Sequence, residues 1–175
     1  MNKFKSFDRA AGILMAVSSL PSPYGIGTFG KAAYDFVDFV SACNHKYWQV
    51  LPLGPTTYGD SPYQSYSAFA GNPYFIDLDF LIEDGLLGED DVKQTDWGDN
   101  CEYVDYEKMY NNRFVVLHKA YDNFKKILLE SKIKLAPGLP LYKVYDNFKE
   151  LNKQWLFDYS FFMALKVHFS NVSWS

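Results

Sequence analysis

The chain is predicted to be an α/β protein. Two short apolar runs flank an amphipathic helical stretch, and the crossover this implies makes the two strands parallel. The loops leaving both strands are long and rich in Gly, Pro, Ser and Tyr. With 175 residues, 48% of them hydrophobic, there is enough apolar material for one domain with a real core.

The first run, Gly12 to Val17, is continuous, apolar and bounded by Ser and Pro, the pattern of a strand buried on both faces. Preceded by Lys3, Lys5 and Arg9, "AAGILMAVSSL" also has the composition of a secretory signal. Asp8 interrupts the basic stretch, however, and no small-x-small cleavage site stands out before Pro21. The strand is the preferred reading, and it leaves the protein with its N-terminus, in the cytoplasm. No segment approaches the roughly 18 apolar residues of a membrane span.

From Lys31 to Cys43, Ala33, Phe36, Val37 and Val40 follow the i, i+3, i+4, i+7 rule of an amphipathic helix. Tyr47 to Leu51 reads as a second buried strand, closed by Pro52. Parallel strands have their carboxyl ends on one edge of the sheet. The loop "SSLPSPYGIG" and the loop that leads to "YGDSPYQSYSAFAGNP" (58–73) therefore gather where α/β sheets and barrels put ligand sites.

Beyond Leu78 the pattern changes. "IEDGLLGEDDV" reads as an acidic, solvated turn region, with Asp77 and Asp79 flanking a short strand in turn or salt-bridge roles. Glu107 to Ser131 is a long helical pattern with Tyr110, Phe114, Leu117, Tyr121, Phe124 and Leu128 on one face, broken by "APGLP" (136–140). Tyr142 to Leu151 gives a shorter helix. Asn152 can cap another, with Leu156, Tyr159, Met163 and Val167 as its stripe. "YDNFK" occurs at 121–125 and 145–149, too few copies for a repeat fold. Two parallel strands are too few for an all-parallel sheet, and an α/β barrel needs about 250 residues, so the pattern is that of the front part of something larger.

Net charge is -4 with scattered basic residues, which excludes a nucleic-acid or anionic-membrane surface. Cys43 and Cys101 stand alone without His at ligand spacing, and Asp77, Asp79 and Gly85 do not fit a calcium loop, so no metal is expected. Cys43, ending a helical stripe, reads as a free buried thiol. His45, His118 and His168 are far apart and read as partly buried or surface residues. "GIGTFG" (25–30) matches the dinucleotide fingerprint in spacing. Pro21 and Pro23 lengthen its loop, and the next strand ends in "VLPLGP" without the acid that would hold a ribose, so no nucleotide cofactor is expected.

Aromatic residues make up 19% of the chain, with 14 Tyr, which fits either an aromatic core or a surface for flat, partly polar ligands. The stretch 58–73 sharpens this. Tyr58, Tyr63 and Tyr66 offer ring faces beside Asp60, Gln64 and Asn72 and the hydroxyls of Ser61, Ser65 and Ser67. A pyranose needs rings for its C–H face and fixed donors and acceptors for its hydroxyls. Pro62 and Pro73 hold φ, while Gly59 and Gly71 allow close approach. The competing reading is a loop packed by its own aromatics.

"SSLPSPYGIGTFG", "YWQVLPLGPTTYGDSPYQSYSAFAGNPYFIDL" and "WLFDYSFFMALK" resemble the 4-α-glucanotransferases (amylomaltases, or disproportionating enzymes) of glycoside hydrolase family 77. The match runs in order from about Arg9 to Ser175 and is weakest across 85–150. The resemblance implies the N-terminal part of a (β/α)8 barrel with an inserted, mainly helical subdomain. Residues 1–78 would supply the first strand-helix-strand unit and glucan-binding loop, and 79–175 the acidic turn region and helical insertion. It implies transfer of α-1,4-glucan segments between maltodextrins with retention. That chemistry uses a carboxylate nucleophile and an acid/base about 5–5.5 Å apart. The family's motifs for these acids do not occur here, so no residue is assigned a catalytic role. By motif match, Ser61, Pro62 and Tyr63, with Asp60, Gln64 and Asn72, shape glucan subsites near the cleavage point, and Tyr58 and Tyr106 correspond to a second glucan site. The partners implied are α-1,4-glucans and a C-terminal part of the same enzyme. A piece of a glucanotransferase and a short non-catalytic product both remain open.

Overall fold

The computed structural model describes residues 9–134 and 141–172. The basic residues before Arg9, the break at 136–140 and the final Trp174 lie outside them. Strands β1 (Gly12–Leu14) and β2 (Tyr47–Gln49) pair in parallel, with Gly12 opposite Tyr47 and Leu14 opposite Gln49. The crossover between them is helix α1 (Lys31–Ala42). Trp48 locks the pair by donating its indole N–H to the Met15 carbonyl at 2.9 Å.

Both strands are shorter and more exposed than expected. Leu14 and Tyr47 are half-exposed or more, because among the described residues only one strand flanks each. Met15 and Ala16 continue as extended chain, and Val17 is buried in a 3-10 turn (Val17–Ser19) instead of a strand. Helix α1 turns Ala33 and Val40 inward, but Val37 stays exposed. Its end is a two-bond cap: His45 N–H donates to Val40 O at 3.1 Å and Asn44 N–H to Ser41 O at 3.0 Å. Asn44 supplies the left-handed residue this cap needs (φ 56°). Cys43 lies exposed at that corner, which corrects the expectation of a buried thiol.

The glycines of "GIGTFG" serve packing. A Cβ on Gly27 would lie 2.0 Å from the Val17 carbonyl oxygen, and one on Gly30 would collide with the Asp77 carboxylate. Asp77 caps α2 (Leu78–Glu83) through the Phe80 amide at 3.1 Å and accepts from the Thr28 hydroxyl. It therefore fastens the first loop to the start of a helix, and Asp79, inside α2, accepts from Tyr24. The short strand expected there is absent, since Pro73–Phe75 is a 3-10 turn running into α2.

The acidic region is part of the core. Leu87, between α2 and α3 (Glu89–Lys93), and Val92, within α3, are buried with Ile26, Tyr74, Leu78, Trp97 and Met109. Charge hid them: Glu89 and Asp90 sit outside, while the apolar residues between the acids, Leu87, Val92 and Trp97, turn in.

Helix α4 (Tyr106–Lys108), a wide π-type turn (Met109–Arg113) and α5 (Phe114–Lys134) run consecutively. The buried face is Met109, Arg113, Val116 and Ala120, not the aromatic stripe, of which Tyr110 and Tyr121 are exposed. Apolar residues occupy both faces, and the charge on Arg113 disguised the one that meets the core. Helix α6 (Leu141–Leu151) packs on α5 through Phe124 and Tyr145. In α7 (Leu156–His168), Leu156, Tyr159 and Met163 are half-buried, but Val167 is exposed and Lys166 is buried in its place. Asn152 does not cap α7 with its side chain. It bridges the turn, accepting from the Trp155 indole at 3.1 Å and donating to Phe148 O at 2.8 Å.

Candidate functional site

Two loops leave the carboxyl ends of β1 and β2, and they meet. Ala16 to Ser19 from the first and Leu51 to Leu53 from the second line one cleft of about 230 Å³, with Thr56, Asp60, Pro62, Asn72, Tyr74 and Tyr106. That volume is below the roughly 300–1,000 Å³ of pockets that enclose a drug-sized ligand. The cleft is a floor with one wall.

The loop is held by its own backbone. Thr56 and Ser65 form an antiparallel bridge, Thr57 N–H donates to Gln64 O at 3.1 Å, and Asp60 N–H donates back to Thr57 O at 3.1 Å. Ser67 Oγ accepts from the amides of Phe69 and Ala70 at 3.1 and 3.0 Å. Asn72 N–H donates to Leu53 O at 2.8 Å, which ties the end of the loop to the exit of β2. With these bonds made, ordering the loop is not left to a ligand.

Asp60 is the cleft's carboxylate. Its Oδ1 accepts from the Thr56 hydroxyl at 3.2 Å, and partial burial raises its pKa above the usual carboxylate value despite that bond. Tyr74 is pushed up to about 12, by burial first and then by the negative charge of Asp60. Tyr106 is raised for the same two reasons, so both phenols stay protonated hydrogen-bond donors at neutral pH. Tyr106 lies near Tyr74 (6.5 Å between rings).

Of the residues expected in the site, Asp60, Pro62, Asn72 and Tyr106 line the cleft together. Asn72 is buried and its Oδ1 accepts from the Tyr74 amide at 3.0 Å, so it shapes the wall. Ser61 is half-buried between Asp60 and Pro62 in the chain. Tyr63 projects at the rim, 74% exposed, and Gln64 is exposed next to it. Tyr58 is fully exposed at the tip of the loop, and Tyr106 is half-buried in the cleft lining.

Arg113 was not legible as a site residue. Completely buried, it donates from Nη2 to the carbonyls of Tyr74 (3.2 Å) and Ile76, and its guanidinium stands 5.6 Å from the Trp97 ring centroid. It grips the cleft wall from behind. Desolvation lowers its pKa to about 10, which leaves it charged at neutral pH. Within the described residues no group of His, Cys, Asp and Glu is arranged to hold a metal ion. No helix among them is long and apolar enough to cross a membrane.

These features define a class: a mixed α/β chain with a partial, open parallel sheet, helical insertions, and a polar-aromatic cleft at the carboxyl ends of its strands. The family model described as 4-alpha-glucanotransferase matches residues 15–175, and the chain belongs to that family. The 4-alpha-glucanotransferase of Clostridium butyricum is 53% identical over 161 residues, covering 92% of this chain and 30% of that protein. That of Thermus thermophilus is 44% identical over 168 residues, covering 95% and 31%. A solved structure, amylomaltase from Streptococcus agalactiae in complex with acarbose, is 42% identical with a TM-score of 0.83, covering 95% of this chain and 31% of that one. The chain thus spans about 30% of the length of the curated relatives it matches.

Proposed function

We propose that this chain forms one wall of the glucan site of a 4-α-glucanotransferase, an enzyme that moves α-1,4-glucan segments between maltodextrins with retention. Its strands would be the first of a (β/α)8 barrel. The observation that carries the reading is the cleft at the carboxyl ends of β1 and β2, with Asp60, Pro62 and Tyr106 converging on it and Tyr63 at its rim. Family membership and the acarbose complex of the Streptococcus agalactiae relative support it.

Retaining transfer needs two carboxyl groups about 5–5.5 Å apart, one attacking the anomeric carbon and one protonating the departing oxygen. The cleft described here is lined by one, Asp60. The reading places the nucleophile and acid/base beyond this chain, whose contribution is to hold the sugar. Tyr63 covers a pyranose face, the Ser61 hydroxyl and the Asp60 carboxylate take sugar hydroxyls, and Tyr58 and Tyr106 contact a second glucan. The same single carboxylate favours a second reading for the chain in isolation, that of a glucan-binding piece without catalysis.

The test is Tyr63. In the intact enzyme, Tyr63→Ala should weaken the transfer step by about 1–3 kcal/mol, from lost apolar area and ring-specific attraction. Phe should restore most of it, losing only a hydrogen bond of about 0.5–1.5 kcal/mol. Unchanged turnover of maltotriose in the Ala variant removes Tyr63 from the site.

A further inference from the structure

Lys166 lies on the inner face of α7 and is only 8% exposed, an uncommon place for an ammonium group. Its Nζ donates to the carbonyls of Asn171 at 2.9 Å and Val172 at 2.7 Å. Those carbonyls belong to the turn after α7, where Ser170 and Asn171 both take left-handed backbone (φ 52° and 59°). The same Nζ stands 5.9 Å from the centroid of the Tyr66 ring. One buried ammonium thus serves two carbonyls and an aromatic face.

The contacts continue in both directions. Asn171 Nδ2 donates to the Tyr110 hydroxyl at 3.1 Å, and Tyr110 lies in the wide turn that directly follows Tyr106. On the other side, Phe162 packs against Tyr66 with rings 5.5 Å apart, and Trp155 stacks on Phe69 at 5.9 Å and 18°. A path from Tyr66 through Lys166 and Asn171 to Tyr110 therefore joins the loop that carries Asp60 and Pro62 to the helix that carries Tyr106.

We propose that Lys166 is a positioning residue for the glucan cleft, clamping Tyr66 to α7 and so setting the Asp60–Tyr63 segment against the wall bearing Tyr106. The proposal rests on the glucan reading above. The clamp needs a cation, because the quadrupole of the partly exposed Tyr66 ring draws the buried ammonium to its face. A neutral side chain of similar length would fill the space but leave two carbonyls without their donor and the ring without its charge.

The experiment uses the intact protein and two readouts: hydrogen exchange at the Phe69 and Ala70 amides, and the affinity for maltoheptaose by calorimetry. Lys166→Met should speed that exchange and weaken binding by about two- to fivefold each, the size of a cation–ring contact at a partly exposed ring. Lys166→Arg should recover most of both, since a guanidinium can serve the carbonyls and stack on the ring. Tyr66→Leu leaves the carbonyl bonds of Lys166 in place and should reproduce the loss, which keeps the test decisive if the Met variant does not fold. Phe157→Ala, on the exposed side of α7, should change neither readout. Wild-type protein that binds no maltoheptaose refutes the glucan reading and the positioning role with it. Wild-type binding with unchanged exchange and affinity in the Met and Leu variants overturns the role of Lys166 alone. Faster exchange at unchanged affinity also overturns it, leaving a purely structural clamp.

Discussion

Asp60 occupies backbone that few non-glycine residues adopt, with φ at 53° immediately after Gly59 at 91°. The turn aims its carboxylate into the cleft instead of into solvent, and partial burial raises its pKa. A carboxyl group raised in the fold binds its proton more tightly folded than unfolded. Its contribution is therefore fully present below the unfolded value of 3.8 and is lost as pH rises through the folded value. Asn cannot ionise and tolerates left-handed backbone, so Asp60→Asn should gain stability relative to the native protein as pH rises from about 4 to 7. Denaturant unfolding across that range measures it. A gap that stays flat or narrows would show that the carboxylate carries no burial cost. Residue identity alone put Asp60 in the loop, but only the turn geometry set its surroundings.

The segment Asn72–Ile76 and the helix run from Tyr106 form the cleft wall as a unit, and Arg113 joins them. Its place in a wide π-type turn brings the guanidinium to the carbonyls of Tyr74 and Ile76. Arg113→Met would leave the buried Tyr74 carbonyl and the part-buried Ile76 carbonyl without this donor, at about 1–3 kcal/mol each. We expect a loss of about 2–5 kcal/mol in unfolding free energy by denaturant titration. A loss below about 0.5 kcal/mol, the range of an ordinary surface change, would remove Arg113 from the wall. At this scale the sequence was half legible. The crossover α1 announced itself because its apolar positions repeat with helical spacing and lie on one face. The helix at 106–134 did not reveal its buried side, because rings on Tyr110 and Tyr121 outweighed the small Val116 and Ala120 in the pattern. Lys166 was hidden in the same way, since a cation reads as solvent-facing until its carbonyl partners are in place.

Across the whole molecule, the two strands leave much of their surface uncovered. Leu14, Tyr47 and Val37 are each at least half exposed around β1, β2 and α1, while the region from α2 to α5 closes a core with Ile26 and Tyr74, in which Leu78 and Met109 are completely buried. One side of the chain is packed and the sheet side is open. Such an open side has unpaired edge groups and apolar surface in water. We expect residues 1–175 expressed alone to be compact, prone to self-association, and inactive in converting maltotriose into glucose and longer maltodextrins. Turnover by the purified chain, free of host enzyme, would mean that an acid within it is catalytic. Recovery of activity when the remaining C-terminal part of the enzyme is added would support the division of labour proposed above.

The sequence by itself determined the parallel strand-helix-strand unit, the edge on which its loops gather, and the family. Each rests on local spacing or on a long, specific run such as "YGDSPYQSYSAFAGNP". Only the tertiary structure decided that the acidic stretch after Leu78 contributes Leu87 and Val92 to a core, that the glycines at 27 and 30 make room for a carbonyl and a carboxylate, and that Arg113 and Lys166 work from inside. The reason is physical. Periodicity reports which residues share a face, but the cost of burying a charge depends on partners far away in sequence, and those partners meet it only when the chain has folded.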